Sequence, residues 1–145
     1  MSGLPHARSF KELAVYQKVS HVSQRIFEMS KFFPKEETYA LTDQVRRVSR
    51  SIGGQIAEAW GKRKYERHFV AKLTDADAEQ LETQHWVLVA AACGYLTQEQ
   101  ETAVLAELAE IGRMLNSMME KAHLFCGQGV STVREDFAAY PSTDD

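Results

Sequence analysis

Long apolar runs are missing from this sequence: no stretch of its 145 residues approaches the 18 or so apolar residues of a membrane-spanning helix. The beginning, MSGLPHARSF, has no apolar segment of signal-peptide length, so we expect a cytoplasmic protein without a membrane partner. Cysteine is nearly absent as well. Cys93 and Cys126 lie far apart without CxxC spacing, which excludes a disulfide framework and fits a reducing compartment.

Charge of one sign is not in large excess either, since the formal net charge is −3. Its distribution along the chain is uneven, however. Between Asp43 and Arg67 there are seven basic and three acidic residues, whereas between Asp75 and Glu110 there are eight acidic residues and no Lys or Arg. Such asymmetry favours an anionic partner or a head-to-tail contact between subunits.

Apolar residues recur at spacings of three and four through most of the chain, which predicts helices rather than strands. We predict four helices, at about residues 10–32, 37–61, 65–93 and 98–125. Short connections between long helices favour an all-α, antiparallel up-and-down four-helix bundle over residues 1–127. Residues 128–145 are polar and acidic and are predicted to form a mobile tail.

Local signals mark the ends of these helices. Ser9 and Glu12 have the spacing of a capping box at the start of the first helix, and Pro34 ends that helix. Thr97 and Gln100 repeat the capping-box spacing before the fourth helix. On the third helix we assign a broad apolar face to the core, comprising Phe69, Leu73, Ala76, Leu81, residues 86–89 and residues 90–92.

The segment Leu41–Gly61 and the residues after it carry basic side chains that a helix does not need in order to fold. They are Arg46, Arg47, Arg50, Lys62, Arg63, Lys64 and Arg67. One interpretation is a face that binds the phosphates of RNA or DNA. The other, which we favour because no aromatic-rich platform accompanies them, is structural or intersubunit pairing. If the turn between the second and third helices lies near residue 62 or 63, Arg46 is level with Glu79, Arg47 with Asp77 or Ala78, and Glu58 with Arg67.

Two further groups on the second helix are predicted to be structural. Gly53 and Gly54 each weaken a helix by up to about 1 kcal/mol, so we predict close helix packing there, with a kink as the alternative. A phosphate-binding loop is excluded, because no strand precedes the glycines and the GK[ST] ending is absent. We also predict a structural polar network, comprising Gln44, Gln55, Glu58 and Glu79.

A metal centre inside the bundle is excluded by depth. The Glu-x-x-His sequences beginning at Glu82 and Glu120 have the ligand spacing of di-iron bundles, in which the two motifs meet at one depth. With the turn between the third and fourth helices near residue 95, Glu82 is level with Ala109, and the motifs are about 16 Å apart. Only a metal site between subunits stays open. We predict no catalytic residue, cofactor or small-molecule substrate.

Four segments resemble one known family: FKELAVYQK, FFPKEETYALTDQVRRVSRSI, QIAEAWGK and DAEQLETQ. They resemble the four-helix-bundle family of 23S rRNA-intervening-sequence proteins, to which the accessory proteins of diversity-generating retroelements are related. The resemblance covers residues 10–125 and is most specific over residues 33–58. The matching residues there are Gln44, Arg46, Arg47, Ser51, Ile52, Ile56, Ala57 and Glu58.

The sequence departs from the family pattern in two places. Gly53, Gly54 and Gln55 stand where members carry a proline or small residue and then asparagine, and Ala59 stands where glycine is common. The longer Gln55 is expected to shift or lose a contact that asparagine makes.

The resemblance implies a four-helix bundle that assembles as a ring-shaped homopentamer, and no enzymatic activity is assigned to the family. The retroelement relatives look like nucleic-acid-binding partners of a reverse transcriptase, but they are strongly basic, which this chain is not. We therefore predict a non-catalytic, homo-oligomeric assembly or adaptor protein. Its basic and acidic regions would meet across subunits, as an odd-numbered ring needs two unlike surfaces. The alternative is RNA or DNA binding through the second helix and its junction with the third.

Overall fold

The fold is described by a computed structural model, which covers residues 7–126 in detail. It contains four long helices: α1 (Ala14–Ser30), α2 (Asp43–Gly61), α3 (Glu66–Ala92) and α4 (Gln98–Glu120). Residues 122–126 add a short helical segment, and no strand occurs within residues 7–126. The all-α fold with four long helices is as predicted. The tail predicted for residues 128–145 lies outside the described residues.

Neighbouring helices run antiparallel. Helix α1 lies against α2 and α4, and α3 lies between α2 and α4. Lys18 forms an ion pair with Glu110 at 3.2 Å, and Arg25 with Glu107 at 3.3 Å, so residue numbers rise along α1 as they fall along α4. Side-chain contacts between the other neighbouring helices follow the same order. No helix within residues 7–126 has the length and apolar character to cross a membrane.

The core lies along the bundle axis and draws one apolar stripe from each helix. Its largest fully buried side chains are Phe69, Ile26, Leu41, Ile52, Ile56, Leu73, Leu108, Ile111, Leu115, Val15, Val22 and Val87. Each such side chain contributes about 1.5–3 kcal/mol relative to an exposed one. The packing of these four stripes in the core fixes the rotation of each helix about its own axis, and hence which side chains face solvent.

Helix α1 begins later than the sequence predicts. The Ser9 hydroxyl accepts a hydrogen bond from the backbone N–H of Lys11, and so caps a 3-10 turn over Phe10–Glu12 rather than α1 itself. Leu13 is extended, and α1 starts at Ala14. At α4 the predicted capping box is present, with both Thr97–Gln100 hydrogen bonds at 2.9–3.0 Å.

The two connections at one end of the bundle contact each other. A 3-10 turn (Lys35–Glu37) and a π-helical turn (Thr38–Thr42) lead from α1 into α2. The Tyr95 hydroxyl, from the α3–α4 connection, donates a hydrogen bond of 2.8 Å to the Glu37 carboxylate, and its ring lies 5.7 Å from that of Phe33. The bond to Glu37 raises the pKa of Tyr95 to about 12, because ionisation would place two negative charges side by side.

Candidate functional site

The basic residues predicted as one candidate face form two separate groups. Arg46, Arg47 and Arg50 lie in the N-terminal half of α2 and are termed the N-terminal arginine cluster. The junction cluster, at the α2–α3 connection, comprises Lys62, Arg63, Lys64 and Arg67. Arg50 and Lys62 are separated by about 18 Å along the helix, since each residue adds about 1.5 Å. The two clusters can therefore contact different partners.

Helix α1 holds the N-terminal arginine cluster in place. Arg46 Nε donates a hydrogen bond of 2.7 Å to Ser30 Oγ, and its guanidinium lies 4.6 Å from the ring centroid of Phe27. The Arg50 guanidinium and the Lys31 ammonium lie 5.2 and 5.0 Å from the same ring. These are cation–π distances. The predicted pairing of Arg46 with Glu79 is wrong, because Arg46 is on the side of α2 that faces α1.

The sequence reasoning also missed the aromatic component of this cluster. Phe27 belongs to α1, so its spacing from the arginines along the chain gives no indication of contact. The pairing predicted between Arg47 and Asp77 is absent too: Arg47 is exposed, and the Asp77 carboxylate accepts a hydrogen bond of 3.0 Å from Gln80.

An open cavity of about 600 Å³ is formed by the exposed side of this cluster. It is lined by Asp43, Arg46, Arg47, Arg50 and Ser51. No ion pair within residues 7–126 includes any of the three arginines. Four other cations do have a carboxylate oxygen at 2.7–3.3 Å, namely Lys18, Arg25, Lys31 and Lys72. The positive charge of this cluster is therefore directed to solvent, with Asp43 as the acidic group of the cavity wall.

At the junction cluster, Arg63 has a structural role. Its Nε donates a hydrogen bond of 2.8 Å to the carbonyl of Trp60, and its guanidinium lies 3.6 Å from the Trp60 ring centroid. Desolvation lowers the pKa of Arg63, but a guanidinium stays protonated in proteins. The bond satisfies a carbonyl in the last turn of α2. Lys62 and Lys64 extend into solvent, so these two are the members available to a partner.

A polar network joins α2 to α3 through Lys72. Its ammonium lies 2.7 Å from the Glu58 carboxylate and 3.2 Å from Gln55 Oε1. Gln55 Nε2 in turn donates a hydrogen bond of 3.4 Å to Glu79. The structure thus brings together three of the four predicted network residues. Gln44 stays apart, and its amide lies 3.4 Å from the carbonyl of Tyr39.

Lys72 was missed because the sequence placed Glu58 level with Arg67. Glu58 instead pairs with Lys72, which lies five residues further along α3, more than one helical turn. The hydrogen bond and charge of Lys72 lower the pKa of Glu58, and Glu58 raises the pKa of Lys72. At Glu79, burial raises the pKa more than the Gln55 hydrogen bond lowers it, and one carboxylate oxygen is shielded without a hydrogen-bond partner.

The glycine pair does not mark a close helix crossing. A Cβ at Gly53 would lie 3.4 Å from Tyr16 and 3.7 Å from Val19, which are ordinary contact distances to α1. A Cβ at Gly54 would have no atom within 4 Å, because this residue faces solvent. The prediction of close packing is therefore wrong at Gly54. At Gly53, α1 is adjacent but leaves room for a methyl group.

The close approach lies on α4, at Gly112. A Cβ at this position would be only 2.7 Å from Gln80 Nε2 and 3.3 Å from Asp77 Oδ1. Gln80 is buried, and its amide also accepts a hydrogen bond of 2.8 Å from Gln84. In the sequence, this close approach could have been inferred only from Gly112 itself, a single glycine inside a strongly periodic helix.

The two Glu-x-x-His sequences lie at different levels of the bundle. The Thr74 hydroxyl is 3.4 Å from Met119 Sδ, which places the motif at Glu120 beside the first half of α3. Glu82 lies about two turns further along and accepts a hydrogen bond of 3.1 Å from Trp86 Nε1. Within residues 7–126, no group of three or more His, Cys, Asp and Glu side chains could hold a metal ion.

Helix α3 carries a second face, largely apolar, which points away from the core. We term it the α3 outer stripe: Ala78, Leu81, His85 and Leu88, which recur at spacings of three and four and are exposed. Leu81 is 55% exposed and Leu88 is 49% exposed. The prediction that both leucines belong to the core face is wrong. Helix α3 has apolar residues on several of its faces, so periodicity alone did not determine which face is turned towards the core.

Comparison with known proteins identifies relatives over most of the bundle. A family model described as 23S rRNA-intervening sequence protein matches residues 11–117. The chain is also similar to a solved structure from Bacteroides thetaiotaomicron, a protein of unknown function from the S23 ribosomal protein family. The two chains are 29% identical with a TM-score of 0.66, over 73% of this chain and 95% of the other. A search of curated proteins gives no match.

Proposed function

Because the chain belongs to the 23S rRNA-intervening sequence protein family, we propose that it is a non-catalytic cytoplasmic protein that acts as a homo-oligomeric assembly or adaptor. The number of subunits would be five, as the family resemblance implies. Its role is then to present several copies of one surface to a partner.

The observation that carries this proposal is the α3 outer stripe. Leu81 and Leu88 lie on the same face of one helix, and about half of each side chain is exposed to water. Burying the exposed half of each side chain contributes about 1 kcal/mol, roughly half of the 1.5–3 kcal/mol for a fully exposed leucine. The core already takes the opposite face of α3, so a second copy of the chain is the occupant that this proposal assigns to the stripe.

A closed ring requires each subunit to use two different surfaces. Lys62 and Lys64 of the junction cluster are exposed, and acidic residues on α3 and at the start of α4 are exposed as well, namely Asp75, Glu82 and Glu99. Opposite charges at the edge of an apolar contact fix its orientation more than they strengthen it. We assign the junction cluster and these acidic residues to opposite sides of the subunit contact.

The test is the mass of the protein in solution, measured by light scattering after size exclusion. The wild type is expected at a multiple of the 16.4-kDa chain. The double variant Leu81→Glu, Leu88→Glu is expected to be a monomer, because two charges would be buried in the contact. Ala106→Glu, at an exposed position of α4, is the matched control and should keep the oligomer. A wild-type monomer would contradict the proposal.

The contribution of charged residues to the subunit contact is tested by measuring the oligomer at different salt concentrations. Salt at about 1 M shortens the Debye length to about 3 Å, so an electrostatic contribution should weaken and the oligomer should dissociate at higher protein concentration. The variant Lys62→Glu, Lys64→Glu should reproduce that effect at low salt. If neither change alters the mass, the stripe alone forms the contact and the charge assignment is wrong.

Nucleic-acid binding is the second candidate function, and the N-terminal arginine cluster favours it. Its three arginines face one open cavity and have no carboxylate partner within residues 7–126. Phosphate groups are the ligands that exposed arginines bind most readily. Salt-titrated binding to structured RNA and to duplex DNA tests this function. Affinity weaker than about 10⁻⁴ M at moderate salt would contradict it, since that lies below ordinary non-specific binding.

A further inference from the structure

We propose that the N-terminal arginine cluster and two exposed aromatic side chains beside it form a binding site for single-stranded nucleic acid. The inference rests on the second function proposed above, and it names both the class of ligand and the place where the ligand binds. The junction cluster, about 18 Å away along α2, is not part of this site.

The phosphate-binding part of the site is preorganised. Arg46 is fixed by its hydrogen bond to Ser30 and by the ring of Phe27, so little side-chain freedom is lost when it binds an anion. Arg50 lies over the same ring, and Arg47 is free and exposed. Arg46 and Arg50 are separated by one helical turn, so together they can contact one or two adjacent phosphates.

The base-binding part consists of Phe32 and Tyr39. Phe32 is 86% exposed and Tyr39 is 80% exposed, the highest values among the large apolar side chains of residues 7–126. Phe32 follows Lys31, whose ammonium lies over Phe27 at the end of α1. Tyr39 lies one turn before Asp43, which lines the cavity. Exposed rings next to arginines are the combination that binds single strands, because unpaired bases stack on them.

The same features argue against a duplex as the ligand. In a duplex the base faces are stacked on one another and cannot reach an aromatic ring. A duplex binder also needs a wider basic face, whereas the phosphate contacts here span about one turn of α2. An acidic protein partner would contact the arginines and could bury both rings as well, so the binding experiment decides between it and a single strand.

The experiment measures fluorescence anisotropy of the full chain with a labelled oligo(dT) of about 16 nucleotides and with a duplex of equal length. The wild type should bind the single strand more tightly. Arg47→Ala with Arg50→Ala should weaken binding and reduce the salt slope by about 2, one for each arginine. Phe32→Ser with Tyr39→Ser should weaken single-strand binding by roughly 30-fold or more, since each stacked base contributes about 1–3 kcal/mol, and should leave the salt slope unchanged.

Arg113→Ala is the matched control, since Arg113 is an exposed arginine of α4 outside every ion pair of residues 7–126. It should bind like the wild type. Equal affinity for single strand and duplex, or an unchanged affinity in the aromatic variant, would overturn this inference while nucleic-acid binding itself stands. Absence of binding to both ligands would overturn both. A change of oligomeric mass in the arginine variant would instead make the cluster a subunit contact, and would also overturn the inference.

Discussion

At the scale of single residues, the same amino acid has opposite meanings at two positions. Gly54 faces solvent, so its missing side chain serves no contact within residues 7–126, whereas Gly112 lies directly against a buried amide. Both are interior helix positions, and sequence pattern treats them alike. Only the distance to the neighbouring helix separates a glycine that packing requires from one that packing does not.

We predict that Gly54→Ala raises the free energy of unfolding by about 0.5–1 kcal/mol, because alanine restricts the unfolded chain and favours the helix. Gly112→Ala should lower it by about 1–2 kcal/mol, because displacing the Gln80 amide breaks buried hydrogen bonds and outweighs the same helix preference. Urea denaturation of both variants measures this difference. Equal shifts in the same direction would contradict the assignment of Gly112 as the close contact.

Glu79 gives a pH-dependent prediction. Burial raises its pKa above 4.5 in the folded state, so the folded protein holds this proton more tightly, and stability falls as pH rises from 4.5 through the folded pKa. Glu79→Gln keeps an amide beside Gln55 and does not titrate. It should be more stable than the wild type at neutral pH, and this advantage should vanish below pH 4.5. Thermal unfolding at several pH values measures it, and a difference independent of pH would exclude the titration as its cause.

At the scale of helices, the sequence determined which segments are helical better than how each helix is rotated. The apolar stripe of α2 is narrow, so the sequence predicts its core residues. The sequence does not predict which side of α2 contacts α1. This is why Phe27 was missed as the partner of Arg46 and Arg50. Around α3 apolar residues occur on every side, so Leu81 and Leu88 were placed in the core. The partners of Glu58 depended on the turn before Glu66, whose shape periodicity does not encode.

The contact between the two connections predicts a change in alkaline stability. The Tyr95 pKa of about 12 exceeds the ordinary value of 10.0, so its contribution to stability is complete below pH 10 and is lost as pH rises towards 12. Glu37→Gln should return the Tyr95 pKa towards 10 and remove this loss. A pH titration of the tyrosine ring signals by NMR measures the pKa. Tyr95→Phe is the control for the hydroxyl, and an unchanged Tyr95 pKa in Glu37→Gln would show that the carboxylate is not its cause.

At the scale of the whole molecule, all four helices share one core, so the bundle should unfold as a unit. The resemblance to a known family predicted the fold class and the family correctly, because its matching residues lie in α1 to α3 and in the turns between them. It could not predict the α3 outer stripe, the two separate basic clusters or the cavity. Those depend on tertiary rotation and on the exposed residues that a family pattern does not constrain.

We predict that Leu108→Ala, at a fully buried position of α4, lowers the free energy of unfolding by about 2–5 kcal/mol. Helicity and aromatic packing should be lost together, at the same urea concentration, because one core serves every helix. Far-UV and near-UV circular dichroism measure the two signals. Both signals are compared at one fixed protein concentration, because the self-association proposed above would make stability depend on concentration. Two separated transitions would contradict a single cooperative unit.

The arrangement around Phe27 has a consequence for how the fold responds to ions. Lys31, Arg46 and Arg50 all lie within 5.2 Å of one ring centroid, so three like charges are held close together, and Glu28 compensates only Lys31 directly. Their mutual repulsion is screened as ionic strength rises, which stabilises the contact between α1 and α2 at this point. The opposite holds where α1 meets α4, since screening weakens the pairs Lys18–Glu110 and Arg25–Glu107. Ionic strength therefore redistributes stability between the two sides of α1, tightening its contact with α2 while loosening its contact with α4.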